Sequence, residues 1–317
     1  MDRKTFFQGI ESTIKDWKAT NFVSNHKTYV PGLDDGNLTY GNGEEKKGIG
    51  INTCVLFVDI RNSVALTKKH QIRTMGKIYS VFTQCVLMAA DLEGGYVRNI
   101  IGDRVMIVFP EDDCYTKAVN CAITINHIAK RINEIFDYVD FKCGIGVDYG
   151  TMHVMKVGVV KKGAENDDTK GLVWVGYPAN FASRLTDCAN KDFTDVVYAI
   201  DADFYEYNYL SSGYFGHASG WYRKTQELTA EELSDSLAVD AYGRITSKSF
   251  INQRKIERKE KSYRYNPILV SDNVYNSYKR VHPQDKSIVN GWWHKESRII
   301  RDISFDVWGT DLHWDLK

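Results

Sequence analysis

The chain has 317 residues, a length that at ~150 residues per domain allows two domains or one domain with a large extension. Apolar residues make up 43% and charged residues 26%, with 5 prolines and no low-complexity tract, which excludes a disordered or collagen-like chain. Lys plus Arg and Asp plus Glu each total 41, so the formal net charge is zero and the broad positive field of a nucleic-acid-binding protein is missing.

The segment from Met1 to Glu11 has no apolar core of the signal-peptide type. No stretch approaches the ~18 uninterrupted apolar residues of a spanning helix, so a cytoplasmic protein is expected. Phe6, Ile10, Ile14 and Trp17 recur at helical spacing and predict an amphipathic helix over about 3–19. The turn- and charge-rich stretch from Pro31 to Gly48 reads as a linker. Cys54 to Val58 is an apolar run ending in Asp59, which suits a buried central strand. Asn62 or Ser63 can cap a helix running to about Glu93, where Gly94-Gly95 stops it. Tyr96–Ile101 and Val105–Phe109 predict a hairpin turning at Gly102-Asp103. A helix with an apolar face through Ala118, Cys121, Ile125 and Ile132 follows, then a strand over Phe141–Val147.

The order is β-α-β-β-α-β, an α+β, ferredoxin-like core with helices packed on a mostly antiparallel sheet. Beyond it come strands over Met152–Val160, Leu172–Val175 and Val196–Ile200, and a helix over Tyr177–Ala189. After about 220 the texture turns aromatic, with Trp221, Trp292, Trp293, Trp308 and Trp314. The run from Arg254 to Lys261 interleaves Glu with Lys and Arg and reads as a solvated surface. Cys54, Cys85, Cys114, Cys121, Cys143 and Cys188 form no CxxC and read as buried free thiols in a reducing compartment. The histidines form no HExxH.

Asp59 ends a strand and Asp103 sits at the adjacent hairpin tip. If the two strands are neighbours, the carboxylates converge and repel unless a cation lies between them. Mg²⁺ suits such a place, with one or two carboxylates plus substrate phosphates. Taken singly, Asp59 is equally an N-cap and Asp103 equally a turn residue. Free N–H groups at the helix start near Asn62 and Ser63 form a phosphate seat, and no P-loop motif is present. Gly144-Ile145-Gly146 lies in what reads as a hairpin between strands, which argues against a dinucleotide loop. Pro178 can open a helix that sets Asn180 and Arg184 side by side at i and i+4.

As a set, Val58-Asp59-Ile60-Arg61-Asn62-Ser63, Ile101-Gly102-Asp103, Gly144-Ile145-Gly146 with Asp148-Tyr149-Gly150, and Gly176 with Asn180 to Arg184 resemble the class III nucleotide cyclases. The resemblance covers about residues 50–215. It implies that Asp59, Ile60 and Asp103 bind two Mg²⁺ or Mn²⁺ ions per site, that Asn180 holds the ribose, and that Arg184 stabilises the transition state. It also implies a head-to-tail homodimer whose sites lie at the interface. By the same alignment Asn99 and Val173 stand at the two base-reading positions, where neither matches the purine signatures, and Phe57 lines the pocket. Arg223 and Lys224 are the candidates for gripping the triphosphate.

These departures are similar to the bacterial pyrimidine cyclases of Pycsar anti-phage systems. The activity so implied is UTP to cyclic UMP and pyrophosphate, with a separate effector reached through the cyclic nucleotide. A cytidylate cyclase, an adenylate cyclase and a catalytically dead nucleotide sensor remain as alternatives. The domains expected are 1–49 as N-terminal helix and linker, 50–220 as the catalytic domain, and 221–317 as an aromatic-rich extension.

Overall fold

A computed structural model describes residues 2–39, 45–69, 71–161, 164–166, 168–206, 219–296 and 306–316. In chain order the elements are α1 (Arg3–Ala19), β1 (Phe22–His26), β2 (Lys46–Ile60), α2 (Ser63–Lys69), α3 (Ile72–Leu92), β3 (Tyr96–Ile101), β4 (Arg104–Val108), α4 (Cys114–Ile135), β5 (Cys143–Val157), β6 (Val160–Lys161), β7 (Ala164–Glu165) and β8 (Gly171–Val175). There follow α5 (Tyr177–Cys188), β9 (Asp192–Glu206), β10 (Gly220–Thr229), α6 (Ala230–Ser236), β11 (Leu237–Val239), β12 (Ile245–Ser247), β13 (Phe250–Arg264), β14 (Ile268–Ser271), α7 (Asp272–Val281), α8 (Lys286–Val289), β15 (His294–Lys295) and β16 (Val307–Thr310).

The chain forms two compact units, one of residues 1–191 with 265–317, the other of residues 192–264. In the first, a sheet runs β15-β16-β14-β5-β2-β4-β3, with β1 added to β2 and β8 to β5. β2 pairs antiparallel with both β4 and β5, so the apolar run from Cys54 is central and covered on both faces. Leu56, Val58 and Ile60 pack with Ile78, Phe82 and Val86 of α3 and with Ala118, Ala122 and Ile125 of α4. Val55, its alternation partner, packs on the other face with Met106, Met152 and Ala182 of α5. The α+β core, β2-α3-β3-β4-α4-β5, is the ferredoxin-like arrangement expected.

Gly144-Ile145-Gly146 has a packing role. β5 is one strand of 15 residues through Gly150, with no turn there, so the hairpin expected between Phe141 and Val160 does not form. A Cβ at Gly146 would meet the Ala182 carbonyl and, at 2.5 Å, the Thr186 amide nitrogen, because the α5 backbone lies directly on this strand. Thr186, fully buried, has its hydroxyl 3.1 Å from the Phe57 carbonyl of β2 and 2.8 Å from the Ala182 carbonyl. Gly102, at φ 62°, turns the β3–β4 hairpin and aims Asp103 off its tip.

Other boundaries differ from expectation. The helix expected to run to Glu93 is broken in two, because Gln71 takes an extended backbone before α3. Residues 22–26 form a strand parallel to the start of β2, and Val30 and Leu38 are buried, so the stretch read as a linker is partly packed. The helix α1 forms over Arg3–Ala19, but none of its residues is buried and its apolar stripe is exposed. A division at 220 is not where the structure divides. β14 pairs parallel with β5, and β16 antiparallel with β14, so Tyr265–Lys317 returns to the first unit while 192–264 forms the second.

The second unit is the sheet β10-β9-β13 with α6 and the β11–β12 pair, around Ile200, Ala202, Phe204, Leu228 and Phe250. Thr229 and Glu232 close a capping box on α6. The Arg254–Lys261 run lies on β13 and is exposed throughout, with Lys255–Glu257 and Arg258–Glu260 ion pairs along it.

The close approach of α5 to β5 makes an expected outcome. Gly146→Ala displaces α5 and lowers stability by about 1–3 kcal/mol, read from urea unfolding midpoints. An unchanged midpoint means that α5 is not held by this contact.

Candidate functional site

Asp59 lies near the end of β2, opposite Gly144 of β5, and Asp103 lies at the tip between β3 and β4. The structure brings the two carboxylates together as expected. Burial, and then the charge of Asp59, push the Asp103 carboxyl above the usual carboxylate range, while the Ser63 hydroxyl and Arg104 oppose this. One Asp103 oxygen, Oδ2, is buried and has no hydrogen-bond partner. A buried carboxylate oxygen left bare beside a second carboxylate is a site that a cation stabilises. Among the described residues no group of three or more His, Cys, Asp or Glu could hold a metal, so two aspartates are what the chain offers. That is the donor set of Mg²⁺ or Mn²⁺ bound together with phosphates, and the residues fit it. Ile60, next to Asp59, is buried and pairs with Cys143, so its side chain faces the core.

Two arginines that sequence reasoning did not single out complete this end of the sheet. Arg104 Nη2 donates to Asp59 Oδ2 at 2.9 Å and also pairs with Asp187, while Nη1 donates to Ser183 Oγ at 2.8 Å. Burial works against its charge, but Asp187 and Asp59 outweigh it and hold the guanidinium above its ordinary value. Arg61, buried, reaches across to donate to the Thr186 carbonyl at 2.5 Å, with Asp59 4.0 Å away. Both arginines therefore tie the strand that carries Asp59 to helix α5. Their signal in sequence was only adjacency, since each directly follows or closely follows an aspartate of the site.

Helix α5 has three stripes. Phe181, Ala182, Leu185 and Thr186 are buried, and Ser183 and Asp187 face Arg104. Asn180 and Arg184 are exposed, and among the described residues neither side chain has a hydrogen bond or ion pair. They sit side by side as expected, but the structure does not bring them to Asp59 and Asp103. Among the described residues Arg184 makes no ion pair with either carboxylate.

The remaining expected residues are dispersed. Ser63 opens α2 and Asn62 precedes it at φ 54°, a left-handed conformation that Asn tolerates. A cavity of about 320 Å³ lies beside them, lined by Ser63, Thr67, Lys68 and Tyr79. Phe57 is partly buried on the α5 face of the sheet, and Asn99 is exposed on the edge strand β3, paired with Met106. Val173 is 40% exposed on β8, paired with Met155, and β4, β2 and β5 intervene between its strand and that of Asn99. Arg223 and Lys224 lie on β10 in the second unit, bound to Asp201 and Glu206 of β9. Among the described residues no helix is long and apolar enough to cross a membrane. All six cysteines are unbridged; Cys85 and Cys188 are only partly buried, so four of the six are buried thiols as expected.

No protein-family model matches the chain. A uridylate cyclase from Xanthomonas perforans is 31% identical over 179 residues, covering 54% of this chain and 73% of that protein. A uridylate cyclase from Burkholderia cepacia is 29% identical over 191 residues, covering 56% of this chain and 77% of that protein. Among solved structures, the adenylyl cyclase CyaB from P. aeruginosa covers 83% of this chain and 94% of its own, at 13% identity and a TM-score of 0.47.

Because Asp103 binds its proton more tightly folded than unfolded, metal-free stability falls as pH rises from the ordinary carboxylate value through the raised one. Asp103→Asn removes that loss. It raises the metal-free melting temperature at neutral pH by a few degrees and shrinks the further gain on adding Mn²⁺, both read by scanning fluorimetry. A variant that melts lower and gains the full Mn²⁺ shift shows that Asp103 is not a cation ligand.

Proposed function

Since the chain belongs to the uridylate cyclase family of nucleotide cyclases, we propose that it converts UTP to 3′,5′-cyclic UMP and pyrophosphate. The observation that carries the reading is the Asp59–Asp103 pair with its bare, buried Oδ2. Asp59 and Asp103 would hold Mg²⁺ or Mn²⁺, which would acidify the ribose 3′-hydroxyl and offset phosphate charge. The 3′-hydroxyl gives up its proton to solvent, its oxygen attacks the α-phosphorus in line, the bond from that phosphorus to the bridging oxygen breaks, and pyrophosphate leaves. Asn180 holds the ribose so that the 3′ oxygen faces the phosphorus, which turns a floppy chain into a near-attack geometry. Arg184 neutralises charge building on the α-phosphoryl oxygens. Asn62 and Ser63, at the start of α2, receive the outer phosphates, whose charge favours the N–H groups there. Asn99 reads the edge of the pyrimidine, because a carboxamide offers both a donor and an acceptor, with Phe57 and Val173 as apolar walls.

The exposure of Asn180 and Arg184, unpaired on the outward stripe of α5, supports a shared site. One protomer of a head-to-tail homodimer contributes Asp59 and Asp103 and its partner contributes the helix pair, giving two sites per dimer. The cyclic nucleotide then acts on a separate effector in antiviral defence; the support for this step is the resemblance to the Pycsar cyclases. CTP as substrate is the second reading, because the same Asn99 can present either a donor or an acceptor to the base.

Two outcomes follow from these roles. Asp59→Ala and Arg184→Ala are each inactive alone, with losses of ~10²-fold or more. Mixed and re-equilibrated, they recover about a quarter of wild-type turnover, because half the dimers carry one intact site. Mixed subunits that exchange yet stay inactive rule out the shared site. With all four nucleoside triphosphates present at equal concentration, cyclic UMP is the main product and exceeds cyclic AMP and cyclic GMP by ~10²-fold. Mass spectrometry of the products decides it, and cyclic AMP as main product overturns the base assignment.

A further inference from the structure

Between α5 and α7, above β5 and β14, lies a cavity of about 650 Å³. That volume is in the range of small-molecule sites. Its floor holds Asp148, 4% exposed, and Ser271, 5% exposed. Ser271 occupies the N-cap position of α7, yet its side chain makes no cap hydrogen bond and its Oγ has no partner. A buried hydroxyl without a hydrogen-bond partner is stabilised by an incoming polar group. Burial pushes the Asp148 carboxyl up to about 6. Two buried polar groups thus face one opening.

The walls differ in chemistry. On the α5 side the exposed Tyr177 ring stacks on buried Phe181, with centroids 5.6 Å apart and planes 19° from parallel. On the α7 side Asn273, Asn276 and Arg280 stand at i, i+3 and i+7, one face of the helix. The Asn276 amide donates to Asp272 at 2.7 Å, which fixes its orientation. Arg280 is exposed and has no ion-pair partner among the described residues. A flat aromatic wall, a buried acceptor at the floor and a free guanidinium at the rim match three parts of one ligand class. A base stacks on an aromatic ring, its N–H edge needs an acceptor, and its phosphate needs a cation.

We propose that this cavity is a mononucleotide-binding site distinct from the cyclisation site, with the base on Tyr177 and above Asp148 and Ser271, and the phosphate at Arg280 and Asn276. None of these side chains has a part in the cyclisation described above. Tyr177 lies about one turn before Asn180 and two turns before Arg184 on the same helix, so an occupant of the cavity sets the position of the pair that serves the partner's site. Binding stands apart from the cyclase reading; its effect on turnover rests on it.

The test titrates the full chain, in EDTA, with cyclic UMP, cyclic AMP and uridine 5′-monophosphate in turn, by calorimetry. Wild type binds at least one of them at this site, Arg280→Ala weakens that binding about tenfold or more, and Arg184→Ala leaves it in place. Asp148→Asn weakens it as well, and Arg280→Ala, at an exposed position, keeps the test valid if the buried variant fails to fold. Absence of binding at millimolar nucleotide overturns the proposal. So does binding that Arg184→Ala abolishes and Arg280→Ala leaves unchanged, which assigns it to the cyclisation site. Failure of the cyclase reading shows separately, as no pyrophosphate released from any nucleoside triphosphate with Mn²⁺.

Discussion

The seating of α5 on the glycines of β5 is the contact on which the rest of the site depends. Helix and strand backbones can approach this closely only where no Cβ stands between them, and Gly144 and Gly146 supply that gap. The approach lets the Thr186 hydroxyl reach the Phe57 carbonyl and the Arg61 guanidinium reach the Thr186 carbonyl. It thereby fixes the helix that carries Asn180 and Arg184 against the strand that carries Asp59. A residue with any side chain at Gly146 moves the candidate ribose and transition-state residues relative to the metal residues without touching either.

Charge is arranged around the same junction. Asp59 has Arg104 at 2.9 Å and Arg61 at 4.0 Å, whereas Asp103 keeps a buried oxygen with no partner. The chain thus sets a guanidinium against one carboxylate and leaves an oxygen of the other without a partner. A divalent cation held by Asp59 and Asp103 would compete with Arg104 for Asp59. Arg104 also holds Ser183 and Asp187 of α5. A change in its hold on Asp59 is therefore felt by the helix. The Asp59 carboxylate and the setting of α5 are linked through one side chain, so a cation held at Asp59 would bear on the helix.

Some of this was legible in the sequence for physical reasons. A strand ending in Asp59 and a tight Gly102-Asp103 turn define their neighbourhood by period and turn chemistry, which are local. Asn180 and Arg184 share a helix face by spacing alone. Arg104 and Arg61 were not legible as site residues, because their partners lie 79 and 125 residues away and only packing brings them together. Continuous β5 was misread as a hairpin because Gly144, Gly146 and Gly150 look like turn residues when they are contact residues for α5 and, at Gly150, Pro178. The return of β14 to β5 was hidden for the same reason as the arginines. Ile268–Ser271 is a short apolar run whose partner strand lies over a hundred residues earlier, on the other side of the second unit.

The three stripes of α5 bear on how the two sites of the proposed dimer relate. Its buried stripe belongs to the sheet of its own chain, and its Ser183–Asp187 stripe reports on Arg104 and so on the aspartates of its own chain. Its Asn180–Arg184 stripe is exposed and, among the described residues, unpaired. A rigid helix cannot move one stripe alone, since side chains on adjacent faces share one backbone. In the proposed dimer, a cation held by the aspartates of one site would therefore bear on the helix pair offered to the other, and an occupant of the cavity lined by Tyr177 would act on that helix from a further side. Coupling between such sites would need no separate relay, because the element read by one site would be a structural part of the other.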